Sequence, residues 1–295
     1  MATRATCEVR GATCLVRRAT CHVLGATCCV LMGTILAAGC ARTHAVAPLR
    51  VCADPNNLPF SNEHGEGFEN QLATMVAASL GTTVEYTWWR QARGFVRNTL
   101  DAGRCDVIMG VPARYGMTLT TRPYYQSTYV FVSRRGERPA LSSLDDERLR
   151  RLTIGVQLVG DDYASSPPAL ALSARGLTRN VVGYPVLGDY AQPNPPARIV
   201  EAVAARDVDV ALVWGPLAGY FAAKSSQPLE LSPLAPSGDG PARPFVFAIA
   251  MGVRRGDQPR QHALDAFIAA HASDIDRLLT RYGVPRVATT AGGAS

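Results

Sequence analysis

The stretch Leu49-Arg-Val-Cys-Ala-Asp54-Pro-Asn-Asn-Leu-Pro-Phe60 constrains the fold more than any other in this chain. A short β-prone run breaks into a turn-forming Asp-Pro-Asn-Asn cluster, and an amphipathic helix follows. This is the first strand of an α/β unit with its turn at the carboxyl end. Ligands of open α/β sheets sit in the crevice outside the carboxyl ends of the strands, so this turn is the first place where a solute should touch.

The same grammar repeats. Phe68, Leu72, Met75, Val76 and Leu80 form the apolar stripe of a helix over about 68–80, and Gly81 supplies a left-handed C-terminal cap. A strand follows at 84–88, a helix at 95–100 and a buried strand at 106–109, which makes βαβαβ and a parallel sheet. After the strand 129–132 and a polar stretch from 133 to 151, the alternation starts again. Strands are expected at 152–157, 181–186 and 208–214, with helices at 168–174 and around Ile199, Val200 and Val203 behind Pro195-Pro196. A strand at 245–251 and a long amphipathic stretch at 258–281, with Leu264, Phe267, Ile268, Ile275 and Leu279, pack back on the first unit.

Residues 5–32 are four heptads that each begin Ala-Thr-Cys. The repeat has no Leu/Ile seam and stops after four copies, which argues against a helical zipper. Its cysteines Cys7, Cys14, Cys21 and Cys28 also miss the Cys-x-x-Cys spacing of zinc or haem sites. Arg17-Arg18 then precedes an uncharged run, 23–38, that ends in small residues, the pattern of a secretory signal peptide within 1–45. The run is shorter than the roughly 20 residues of a bilayer span. Two processing outcomes follow. Leu36-Ala-Ala-Gly-Cys40 resembles a lipoprotein signal with Cys40 acylated, although Ala37 replaces the usual large aliphatic residue; alternatively, cleavage after Ala45 releases a soluble periplasmic protein.

Export leaves Cys52 and Cys105 as the pair inside the folded region. One lies in the first strand and the other opens the third, strands that are commonly neighbours in a doubly wound unit, and an oxidising compartment would join them.

The chain carries a formal charge of +6, of which residues 1–39 contribute +3. The remainder does not argue for nucleic acid, and no nucleic-acid motif is present. His262 and His271 are nine residues apart, the wrong spacing for ligands on one helical face, and the sequence holds no Gly-x-Ser-x-Gly elbow and no Walker loop. Asp161-Asp162 offers too few oxygens for calcium. Neither an enzyme, a metal site nor a cofactor is expected. The cleft candidates are the strand-end loops: Asp54, Asn56, Asn57 and Phe60 from the first; Trp89 and Arg90 from the second; Arg114 and Tyr115 from the third. The second unit offers Gln157, Asp161, Tyr163, Asp189, Tyr190 and Trp214. Aromatic walls with a few polar groups suit a binding pocket for a small molecule.

The order of these segments resembles the type II periplasmic solute-binding proteins, family 3 of the ABC-importer receptors, from Leu49 to about Pro285. The resemblance implies an α/β two-lobed clamshell in which each lobe is a mostly parallel sheet flanked by helices. Lobe 1 would be 46–132 and 246–285, lobe 2 would be 133–245, and 286–295 a flexible tail. Within that class, Cys-Ala-Asp-Pro-Asn-Asn-Leu-Pro-Phe-Ser-Asn (52–62), Gly-Phe-Glu-Asn (67–70), Tyr-Thr-Trp-Trp (86–89) and Gly-Asp-Tyr-Ala-Gln-Pro-Asn-Pro-Pro-Ala-Arg (188–198) look like a narrower group. This group is the binding proteins encoded beside periplasmic quinoprotein methanol dehydrogenases. It implies a PQQ-dependent dehydrogenase as partner, whereas the broader class implies an ABC importer permease. Amino-acid receptors of family 3 usually carry Thr-x-x-Arg after the third strand to hold the α-carboxylate. Here Gly110-Val-Pro-Ala-Arg114-Tyr lacks it.

Overall fold

The computed structural model describes residues 47–137, 140–159, 164–235 and 245–287, all within one compact unit spanning 45–295. The signal peptide, Cys40, Asp161 and Tyr163 lie outside the described residues.

In chain order the elements are β1 (Leu49–Ala53), β2 (Asn56–Asn57), β3 (Ser61–Asn62), α1 (Phe68–Ser79), β4 (Val84–Trp88), α2 (Phe95–Asn98), β5 (Val107–Pro112), β6 (Leu119–Thr120) and β7 (Tyr125–Arg134). A 3-10 turn over Glu147–Arg151 leads to β8 (Ile154–Val159), β9 (Ala164–Ser165), α3 (Pro167–Ala174) and β10 (Val181–Pro185). A second, over Pro195–Ala197, leads to α4 (Arg198–Ala205), β11 (Val210–Trp214), α5 (Gly215–Lys224), β12 (Leu229–Pro233), β13 (Val246–Val253), α6 (Gln258–Ala270) and α7 (Ala272–Arg281).

The main strands run β10-β8-β11-β7-β13-β5-β1-β4. The two outer groups, β10-β8-β11 and β5-β1-β4, are each parallel. Between them lie the antiparallel strands β7 and β13. The first four residues of β7, Tyr125 to Thr128, pair with β13, and from Tyr129 onward β7 pairs with β11. The sheet therefore has two parallel halves joined by two crossing strands, the architecture of a type II periplasmic binding protein.

Each half has its own core. Around β1 and β5, the fully buried Phe68, Leu72, Val76, Val107 and Met251 pack with Leu264, Phe267, Ile275 and Leu279 of the last two helices. In the other half Phe131, Ile154, Leu172 and Leu212 fill one face of the sheet, and Ile199, Val203, Val213 and Leu217 fill the other. Burial on both faces explains why these strands read as continuous apolar runs.

The expected amphipathic stretch at 258–281 is two helices. His271 takes φ −111° and ψ 20°, outside the helical well, its ring packs on Phe267 at 4.6 Å, and its Nδ1 lies 3.2 Å from Asp274 Oδ2. Helix α5 had no sequence expectation. The helix expected at 95–100 is a single turn, and Gly81 adopts φ 66° after α1, as the cap requires.

Cys52 and Cys105 are disulfide-bonded, with Cα atoms 5.5 Å apart. The pairing follows from the parallel register of β1 and β5, in which Val51 faces Val107 and Cys52 faces Ile108. An ionic network lies beside it: Arg50 donates to both oxygens of Asp106, at 3.0 and 2.7 Å, and Arg254 donates to Asp106 Oδ1 at 3.1 Å. Burial works to raise the Asp106 pKa, but these hydrogen bonds prevail and hold it below the ordinary carboxylate value.

Candidate functional site

At the carboxyl end of β1 the chain turns back through the small β2–β3 hairpin, and Asp54 organises that turn. Its carboxylate accepts the N–H of Asn56 on Oδ1 (2.9 Å) and that of Gln91 on Oδ2 (2.7 Å), and its carbonyl accepts the Ser61 hydroxyl (2.8 Å). Only 2% of Asp54 is exposed, so its charge needs these partners.

A further partner comes from the opposite half. The Tyr190 hydroxyl donates to Asp54 Oδ2 at 2.5 Å. Arg90 lies over the Tyr190 ring, 4.3 Å from its centroid. Burial, and then the hydrogen bond to Asp54, push the Tyr190 phenol far above its ordinary value, so it stays a donor. Asn56 reinforces the link: its Nδ2 donates to the Gln192 carbonyl (2.9 Å), and its Oδ1 accepts the Asn194 N–H (3.2 Å). Asp54 and Asn56, two of the residues expected at the cleft, thus bond to the 190–194 loop.

Behind this latch lies a cavity of about 300 Å³. Phe60, Tyr125, Trp214, Val111, Leu187 and Ile249 form apolar walls; Asn57, Gln91 and Glu69 bring polar groups. Trp214 stands at the crossing, 5.4 Å from Tyr129 and 5.8 Å from Phe247 between ring centroids, so its indole is fixed by both connecting strands. Gln157 fixes the backbone at the same point, because its Oε1 accepts the backbone N–H of Trp214 at 2.7 Å.

The Gly-Phe-Glu-Asn motif positions Glu69. A Cβ on Gly67 would come within 1.9 Å of the Phe60 carbonyl oxygen, so only glycine lets α1 start this close to the hairpin. Phe68 is fully buried, and Asn70 Oδ1 accepts the N–H groups of Gly67 and Asn62, both at 3.1 Å, which caps the helix. Glu69 is left facing the cavity. Its carboxyl has no hydrogen-bond or ionic partner among the described residues, and burial raises its pKa to about 8.

The expected site residues therefore divide. Asn57, Phe60 and Trp214 line the cavity; Asp54, Asn56, Arg90 and Tyr190 form the latch; Gln157 serves as a brace. The structure does not bring Trp89, Arg114, Tyr115 and Asp189 to the cavity. Trp89 is exposed beneath the Arg104 guanidinium, Arg114 is exposed with φ 63°, the Tyr115 hydroxyl meets Met117 Sδ at 3.2 Å, and Asp189 accepts the N–H of Ala191. Glu69, Gln91, Gly110 and Leu187 line the cavity without a signal in the sequence. An acid in the first turn of a helix ordinarily serves the helix dipole, so Glu69 gave no sign of its cavity. Among the described residues there is no group of three or more His, Cys, Asp or Glu that could hold a metal ion.

The profile of the bacterial extracellular solute-binding proteins, family 3, matches residues 49–285. Protein MoxJ of Methylorubrum extorquens is 30% identical to this chain over 258 residues, covering 85% of each. Among solved structures, the periplasmic binding protein XoxJ of Methylobacterium extorquens AM1 is 36% identical with a TM-score of 0.67, over 81% of this chain and 99% of that one. MxaJ of Methlophaga aminisulfidivorans MPT is 26% identical with a TM-score of 0.68, over 81% and 100%. The strand order, the two crossing strands and the profile match agree, and the chain belongs to the bacterial extracellular solute-binding proteins, family 3.

Proposed function

We propose that this protein is a non-enzymatic periplasmic accessory protein of a PQQ-dependent methanol or alcohol dehydrogenase, aiding the enzyme's maturation or activation. The observation that carries the reading is the latch. In a transport receptor the polar groups at the strand ends are held ready for solute, whereas here Asp54 and Asn56 are satisfied by Tyr190 and the 192–194 backbone. The likeness to MoxJ, XoxJ and MxaJ over most of the chain supports the same reading. In it, residues 46–132 and 246–285 form one body and 133–245 the other. The signal peptide delivers the chain to the periplasm, free or anchored through Cys40.

The test is deletion of the gene in its own organism. Dehydrogenase activity per unit of enzyme protein should fall, and a plasmid copy should restore it; full activity in the deletion strain contradicts the reading. The cavity favours a second reading, a receptor delivering a small polar solute to an ABC importer. A solute that bound only the folded protein would raise its melting temperature.

A further inference from the structure

We infer that the cavity behind the latch binds a small organic ammonium ion, with Glu69 as its counter-ion. The inference rests on the chain's being a binding protein, and not on its dehydrogenase role.

The Glu69 carboxyl carries it, because it lines the cavity and has no hydrogen-bond or ionic partner among the described residues. The amides beside it are tied to each other, since Asn57 Nδ2 donates to Gln91 Oε1 at 3.1 Å. An ionised carboxylate only accepts hydrogen bonds, so a ligand that pairs with it donates. The described lining contains no Arg, Lys or His, so nothing there would pair with a ligand carboxylate. The aromatic faces of Phe60, Tyr125 and Trp214 suit an alkylammonium ion, whose charge is attracted to a ring and whose carbons bury against it. The backbone also makes room for the acid, because a Cβ on Gly110 would come within 2.1 Å of Glu69 Oε1.

Ionisation couples to binding. The titratable groups facing Glu69 are the phenols of Tyr86 on β4, of Tyr124 just ahead of β7 and of Tyr125, all raised by burial and therefore neutral near pH 7. The other described groups around the cavity are amides and apolar side chains. Without a cation the Glu69 carboxyl is mostly protonated at neutral pH. A bound ammonium offsets the loss of solvation and the proton leaves to solvent; the N-terminus of α1, in whose first turn Glu69 sits, favours the anion that remains.

The test is isothermal titration of the mature protein with n-butylammonium chloride, 1-butanol and sodium butanoate, in buffers of different ionisation enthalpy. Only n-butylammonium should bind, with about one proton released per cation near pH 6.5. Affinity should rise on the order of 50-fold from pH 6 to 8, as the ionised fraction of a group titrating near 8 climbs from about 1% to about 50%. Glu69→Gln, nearly the same shape as the neutral acid, should fold with an unchanged circular dichroism spectrum and lose the pH dependence together with at least about tenfold in affinity. Equal binding of 1-butanol, no proton release, an unaltered affinity in Glu69→Gln, or no binding of n-butylammonium overturns the inference. None of these outcomes bears on whether the dehydrogenase needs the protein.

Discussion

The Tyr190 hydroxyl and Asp54 Oδ2 lie 2.5 Å apart although 136 residues separate them in the chain. This hydrogen bond joins the end of β1 to a loop of the opposite half. It converts a residue that reads as a ligand group into a fastener.

Tyr190→Phe should loosen the latch without unfolding either half. Asp54 keeps the N–H groups of Asn56 and Gln91, so the expected loss is that of one charge-assisted hydrogen bond, about 1.5–3 kcal/mol at most. Small-angle scattering should show a larger radius of gyration than the wild type. An unchanged radius and unchanged melting temperature would mean that closure does not depend on this bond.

Cys52→Ser should cost roughly 2–5 kcal/mol, the usual loss for a native bridge in a small secreted domain. The two cysteines are 53 residues apart, and the unfolded-state entropy of a loop of that size corresponds to about 4 kcal/mol. Denaturant unfolding of the variant beside the oxidised wild type measures it. Equal midpoints would show that the bridge contributes nothing.

The Asp106 network gives an acid limb with a definite sign. The folded carboxyl titrates below its unfolded value, so its contribution is fully present above the unfolded pKa and is lost as pH falls through the folded one. Asp106→Asn should destabilise the protein at neutral pH by about 1–3 kcal/mol, because Arg50 and Arg254 lose a charged acceptor, and should flatten the decline of stability in acid. Parallel declines in the two proteins would assign the acid sensitivity elsewhere.

Most of the scaffold was legible because both faces of its strands are covered. Runs such as Val107-Ile-Met109 and Val210-Ala-Leu-Val213 have no other home than the centre of a parallel sheet. The disulfide was legible for the same reason, since strand order alone brings Cys52 to Cys105. The break at His271 was not: the apolar stripe continues across it, and only the backbone turn separates α6 from α7. The site was half legible. Residue type marked Asp54 and Asn56 as polar groups at a strand end, but whether they face a solute or Tyr190 depends on where a loop some 135 residues later folds back. Glu69 was hidden because its helix position has an ordinary explanation, and only the cavity opposite it reveals another.

Association with the dehydrogenase is measured by recovering the enzyme on this protein. The mature protein, tagged at its C-terminus and expressed from its own locus, should bring down a PQQ-dependent dehydrogenase from periplasmic extract, detected by mass spectrometry and by dye-linked methanol oxidation in the eluate. Tyr190→Phe should alter the yield. An eluate that carries ABC permease subunits and no dehydrogenase, from cells actively oxidising methanol, would contradict the account.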